Sequence, residues 1–163
     1  LEAAERTGQV VYFGIPYETD VLYLYVAHPI ARMKELPYRE ICGEHAPLCT
    51  TGIGKAILAN LPPEEWLSRL PEIIPAHTPQ TITDKDKILQ ELQSTRERGF
   101  AIDHCEHELN VRCVGVPIYN ARGALVAGIS SSGAVQVMTD RKVMECADIL
   151  MGITQRIKER LYA

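Results

Sequence analysis

No run or stripe of lysine and arginine occurs in the 163-residue chain, where 17 Lys and Arg stand against 21 Asp and Glu for a formal net charge of −4. Phosphate backbones are held by basic faces, so the acidic balance excludes this chain as a nucleic-acid binder in its own right. Long apolar runs are lacking too. None approaches the roughly 20 residues that a membrane-spanning helix needs, and no membrane partner is expected. The opening Leu1-Glu2-Ala3-Ala4-Glu5-Arg6 has no basic segment followed by an apolar one, so it is not a signal peptide. It reads as the tail of a helix whose beginning is missing, and the chain as a fragment. Cysteines are five, odd in number and irregularly spaced, which points to reduced thiols in a cytoplasm rather than a disulfide framework. A Walker-type phosphate loop around Gly54-Lys55 is excluded, because Cys49 and Ala56 stand where glycine and serine or threonine are required.

What is present is a chain 46% hydrophobic, enough to bury one sizeable core and make residues 1–163 a single domain. Two β-rich ends flank a helical middle. Gln9 to Tyr17 and Asp20 to His28 alternate as a hairpin across Glu18-Thr19. Pairing Tyr17 with Asp20 sets Ile15 opposite Leu22, Phe13 opposite Leu24 and Val11 opposite Val26 on one face, with Tyr12, Tyr23 and Tyr25 on the other. Arg39 to His45 is a possible short strand. Thr50 to Lys55 leads into a helix through Leu61, and Pro62 to Trp66 opens a second, short one. Pro71 to Pro79 is a connecting loop, and Thr83 with Asp84 and Asp86 starts a helix to about Arg98, stopped by Gly99. Phe100 to Asp103 is a short strand, and Val111 to Tyr119 pairs with Ala124 to Ser132 across Asn120-Ala121-Arg122-Gly123. From Thr139 to Tyr162 one apolar stripe runs through Val143, Cys146, Ala147, Leu150, Ile153, Ile157 and Leu161. The class is α/β (α+β): a mainly antiparallel sheet with flanking helices.

The second hairpin carries the most information. With a four-residue turn pairing Tyr119 with Ala124, Gly115 faces Gly128, Cys113 faces Ser130 and Val111 faces Ser132. These six share one sheet face of small side chains, while Val114, Val116, Ile118, Leu125, Ala127 and Ile129 form a core-like face behind it. Such a face suits either close helix packing or an open recess; the serines favour a recess, since buried hydroxyls need partners. The free N–H groups at the Thr50 to Lys55 helix start suit a carboxylate or phosphate, with Gly52 and Gly54 permitting close approach. A plain glycine-containing helix entry is the alternative.

Two segments then resemble the C-terminal effector-binding domain of the IclR-type bacterial transcription factors. One is Ala46-Pro47-Leu48-Cys49-Thr50-Thr51-Gly52-Ile53-Gly54-Lys55-Ala56. The other comprises Arg98-Gly99-Phe100-Ala101-Ile102-Asp103 through Glu106, Arg112-Cys113-Val114-Gly115-Val116-Pro117 to Gly123, and Ser130-Ser131-Ser132-Gly133. The resemblance runs the length of the chain. It implies a GAF-like fold, no catalysis, no cofactor or metal, and effectors that are small organic acids such as keto, sugar or aromatic acids. It also implies a winged helix-turn-helix DNA-binding domain N-terminal to this segment, and assembly as a homodimer or homotetramer. By motif position, ligand contacts fall to the backbone N–H groups of Gly52 and Ile53 and to Asp103, Cys113, Ser130 and Ser132. Three departures stand out. Asn110 replaces a usual glycine and should tolerate the left-handed turn, Gly115 replaces a commoner alanine and should enlarge the recess, and Ile53 adds bulk beside the anion site.

On this reading the ligand carboxylate sits on the Gly52 and Ile53 amides, Ser130 and Ser132 donate to it, and Asp103 accepts from a ligand hydroxyl. Two other readings compete. His104, Cys105, His107 and Cys113 lie within ten residues and suggest a small cytosolic enzyme using a metal or a Cys-His nucleophile, although their spacing matches no common zinc pattern and the two histidines are expected on a solvated loop. A pure interaction module would have its small-residue face filled by a helix.

Overall fold

The computed structural model describes residues 1–33 and 41–160. Its elements are α1 (Glu2–Thr7), β1 (Val10–Tyr17), β2 (Asp20–Ala27), β3 (His45–Pro47), α2 (Gly52–Asn60), α3 (Lys85–Arg98), β4 (Ala101–His104), β5 (Val111–Tyr119), β6 (Leu125–Ala134) and α4 (Asp140–Arg160). Six strands form one sheet in the order β3-β2-β1-β6-β5-β4, every neighbouring pair antiparallel. The α/β class with a mainly antiparallel sheet is as expected.

Helices cover both faces. Against one, α4 lays the stripe read from its sequence: Val143, Cys146, Ala147, Leu150 and Ile153 are buried with Val114, Val116, Ile118 and Ile129, and Ile157 packs at the edge. Leu161 and Tyr162 lie outside the described residues. Against the other face sits α2, buried on every side from Gly52 to Ala59 because α3 covers its outer surface with Ile88 and Leu92. The helix boundaries follow local chemistry. Asp84, one residue after the expected start, caps α3 by accepting from Lys87 N, and Gly99 ends it at φ 85°. The short helix expected from Pro62 is two 3-10 turns, Pro63–Glu65 and Leu67–Arg69. Of the possible strand from Arg39 to His45, residues 39 and 40 lie outside the described residues. The strand is His45–Pro47, paired with β2.

Both hairpin registers differ from expectation, and in instructive ways. In the first, Tyr17↔Asp20 and Ile15↔Leu22 pair as read, but a bulge between Phe13 and Gly14 then sets Phe13 opposite Tyr25 and Val11 opposite Ala27. Leu24 is the extra residue, and Tyr25 crosses to the α4 side, where it is exposed. In the second, the loop is five residues, Asn120 to Ala124, because the Asn120 carboxamide accepts from both Arg122 N and Ala124 N and holds an extra residue in the turn. A further bulge at Val126 adds another, so that Gly115 pairs with Ser130, Cys113 with Ser132 and Pro117 with Gly128. Two shifts of one residue restore the parity: the small side chains still share a face. Leu125, beyond the bulge, changes sides and packs with the α2 cluster.

Candidate functional site

The small-residue face is divided between two uses. Its glycines belong to α2. A Cβ on Gly115 would lie 2.2 Å from Gly52 O and 2.7 Å from Ile53 N, and one on Gly128 would meet Ile57 and Ile53 side chains at 2.9 and 3.0 Å. The first turn of α2 therefore rests directly on β5, which only glycine permits. Gly115 does not enlarge a recess, since helix backbone fills the space a methyl would take. Nor does Ile53 crowd the site: its side chain is buried against Gly128. Gly54 likewise serves packing, because its Cβ would clash with the Leu48 backbone at 2.6 Å. The helix-packing explanation holds for this half of the face.

The other half opens on a cavity of about 540 Å³ whose walls include all six residues picked from the sequence: Gly52, Ile53, Asp103, Cys113, Ser130 and Ser132. Thr51 caps α2, its hydroxyl accepting from Gly54 N at 3.0 Å, and its carbonyl accepts from Lys55 N. The Gly52 and Ile53 amides, ahead of the first intrahelical donors, take part in no hydrogen bond among the described residues. Ser130 and Ser132 come from β6, and the Ser132 hydroxyl donates to Cys113 Sγ at 2.7 Å. Burial pushes the Cys113 thiol well above its ordinary value, and the nearby Asp103 carboxylate adds to this. That is the opposite of what a nucleophilic thiolate needs.

Asp103 stands on β4 opposite Cys113 and is 2% exposed. Burial raises its carboxyl to about 7 against the opposing pull of the Glu106 amide, which donates to Asp103 Oδ1 at 2.7 Å. The nearby Glu106 carboxylate raises it further, and Lys55 offsets only part of this. Lys55, fully buried on α2, donates to Glu106 Oε1 at 2.7 Å and lies 3.7 Å from Glu91 Oε1, which Arg98 also holds at 2.6 Å. Lys55, Glu106, Glu91 and Arg98 balance in charge.

The sequence reading left Lys55 without a role, although a lone lysine among Ile, Ala and Leu on a helix is a signal for a buried partner. It also left Tyr12 and Tyr23 outside the site. They line the cavity with rings 5.7 Å apart, edge to face. Their shared face was legible, but which hairpin face would meet α2 was not. His104 is exposed as expected; His107 is half-buried at the cavity wall, its Nδ1 3.2 Å from Thr50 Oγ and its ring 5.0 Å from His77. Among the described residues no three His, Cys, Asp or Glu side chains converge as a metal set. Asn110 adopts φ 62°, the left-handed turn expected of it.

The chain is similar to known proteins along its length. A family model described as bacterial transcriptional regulator IclR C-terminal matches residues 2–159. The chain is 33% identical over 150 residues to the HTH-type transcriptional regulator BhcR of Paracoccus denitrificans, covering 90% of this chain and 52% of that protein. Against XynR of Escherichia coli it is 30% identical over 143 residues, 87% of this chain and 56% of that one. The chain thus spans about half the length of the curated relatives it matches. The crystal structure of the Thermotoga maritima IclR superposes with a TM-score of 0.88 at 32% identity, covering 98% of this chain and 64% of that one. The C-terminal domain of E. coli KdgR gives 0.85 at 25%, covering 98% and 92%.

Proposed function

The chain belongs to the IclR C-terminal family of bacterial transcriptional regulators, and from that premise we propose that it is the effector-binding domain of such a regulator and senses a small organic acid. One observation carries the reading: six residues chosen from four separate stretches of sequence line a single cavity beside the start of a buried helix. The ligand carboxylate lies on the Gly52 and Ile53 amides, where a helix N-terminus contributes roughly 0.3–1 kcal/mol when exposed and up to about 2 when partly buried. Ser130 donates to it, and Ser132 does so once its hydroxyl turns from Cys113 Sγ to the ligand. Asp103, raised to about 7, is substantially protonated near neutral pH and donates to a ligand carboxylate or carbonyl as well as accepting from a hydroxyl.

Signalling follows as a population shift. The acid favours one packing of subunits in a homodimer or homotetramer, and DNA-binding domains joined to them are repositioned. The domain is no enzyme on this reading: the Cys113 thiol is held protonated, and its relatives are transcriptional regulators.

A thermal-shift screen of keto, hydroxy and aromatic acids tests the proposal, since a binder raises the unfolding temperature by mass action. Titration of a binder into Asp103→Ala and Ser130→Ala should show weakened affinity in each. Unchanged affinity in both would remove the assignment.

A further inference from the structure

The cavity is larger than its anion site requires. At about 540 Å³ it falls in the range of about 300–1,000 Å³ that holds drug-sized ligands, whereas a two- or three-carbon acid seated on the α2 amides would leave most of it to water. Its chemistry is also graded. Donors gather at one pole, on α2, β4 and β6. The rest of the lining mixes apolar groups, Val10, Ile41, Ala46 and Val111, and the rings of Tyr12 and Tyr23 with polar side chains that include Arg32, His45, His107 and Asn110. A polyhydroxylated acid could hydrogen-bond to these groups but offers the two rings no flat aromatic face.

Tyr12 and Tyr23 connect the two regions. Tyr12 pairs with Ser130 across β1 and β6, so its ring stands beside a donor of the polar pole. Tyr23 lines the same cavity, as does Thr51, the residue capping α2. The two rings meet edge to face at 61° and present an aromatic wall that begins at the carboxylate site.

Resting on the sensor reading above, we infer that Tyr12 and Tyr23 select the effector class: a carboxylic acid bearing a flat ring, in preference to two- and three-carbon acids and to sugar acids. The ring stacks or packs edge-on against Tyr12 while the carboxylate engages α2.

Pyruvate and phenylpyruvate share one head group and differ by the ring, and gluconate supplies the polyol. Calorimetric titration of each into the chain, into Tyr12→Leu and into Tyr23→Phe, all verified as folded by circular dichroism, decides the matter. The expected result is phenylpyruvate binding tighter than either other acid by about tenfold or more, with Tyr12→Leu abolishing most of that advantage and leaving pyruvate within about twofold. Pyruvate or gluconate binding as tightly as phenylpyruvate would overturn the inference and leave the sensor intact. So would an equal loss for all three acids in both variants. Failure of every acid to bind would overturn the inference and the sensor reading together.

Discussion

Asp103 shows how one residue's environment sets its chemistry. Its carboxyl is buried beside a cavity and faces the Glu106 carboxylate, so its folded value is raised from 3.8 to about 7. The sign follows directly. Between these two values the native state holds a proton that the unfolded chain has released, so this residue's contribution to stability is full at the acid end and is lost as pH rises toward 7. Asp103→Asn keeps the acceptor for Glu106 N and never ionises. Relative to the natural chain, it should gain stability at about pH 8 and show little difference near about pH 4, as read by urea unfolding at both. An equal effect at the two pH values would refute the raised carboxyl.

At the scale of elements, the contact that builds the site is α2 against β5. It rests on Gly115, where a Cβ would lie 2.2 Å from Gly52 O. The obstacle is backbone, which cannot rotate aside. Gly115→Ala should therefore lift the first turn of α2 and cost roughly 1–3 kcal/mol in urea unfolding, the range for an overpacked core. It should also weaken acid binding, because the Gly52 and Ile53 amides move with the turn. Stability and affinity both unchanged would mean that α2 shifts without cost. The bulges that displace both hairpin registers matter at this scale too. One moves Tyr25 away from the cavity side and leaves Tyr23 there, so the aromatic wall has two members rather than three.

For the whole molecule, the Lys55–Glu106 pair fastens together parts distant in sequence: α2, the loop after β4, and through Glu91 and Arg98 the C-terminal end of α3. Both partners are nearly inaccessible, with side chains 1% and 7% exposed. Removing one member leaves a buried charge uncompensated, which typically costs about 3–5 kcal/mol. Lys55→Met should thus lower the urea midpoint sharply, and Lys55→Met with Glu106→Leu should recover part of the loss, because then neither charge remains. A double variant no better than the single one would argue against the pairing.

Local pattern determined a good deal of this protein by itself. Alternation assigned Cys113, Ser130 and Ser132 to one face, and it did so despite a register two residues off, since side-chain direction has a period of two. The three-to-four spacing of Val143, Cys146, Ala147, Leu150 and Ile153 marked the buried stripe of α4. Tertiary structure alone decided what covers each face. Nothing local tells Gly115, which seats a helix, from Ser130, which borders a cavity, because that difference lies in where α2 docks. The raised carboxyl of Asp103 and the buried charge of Lys55 were equally out of reach. Both depend on groups about fifty residues apart meeting where each is almost wholly buried.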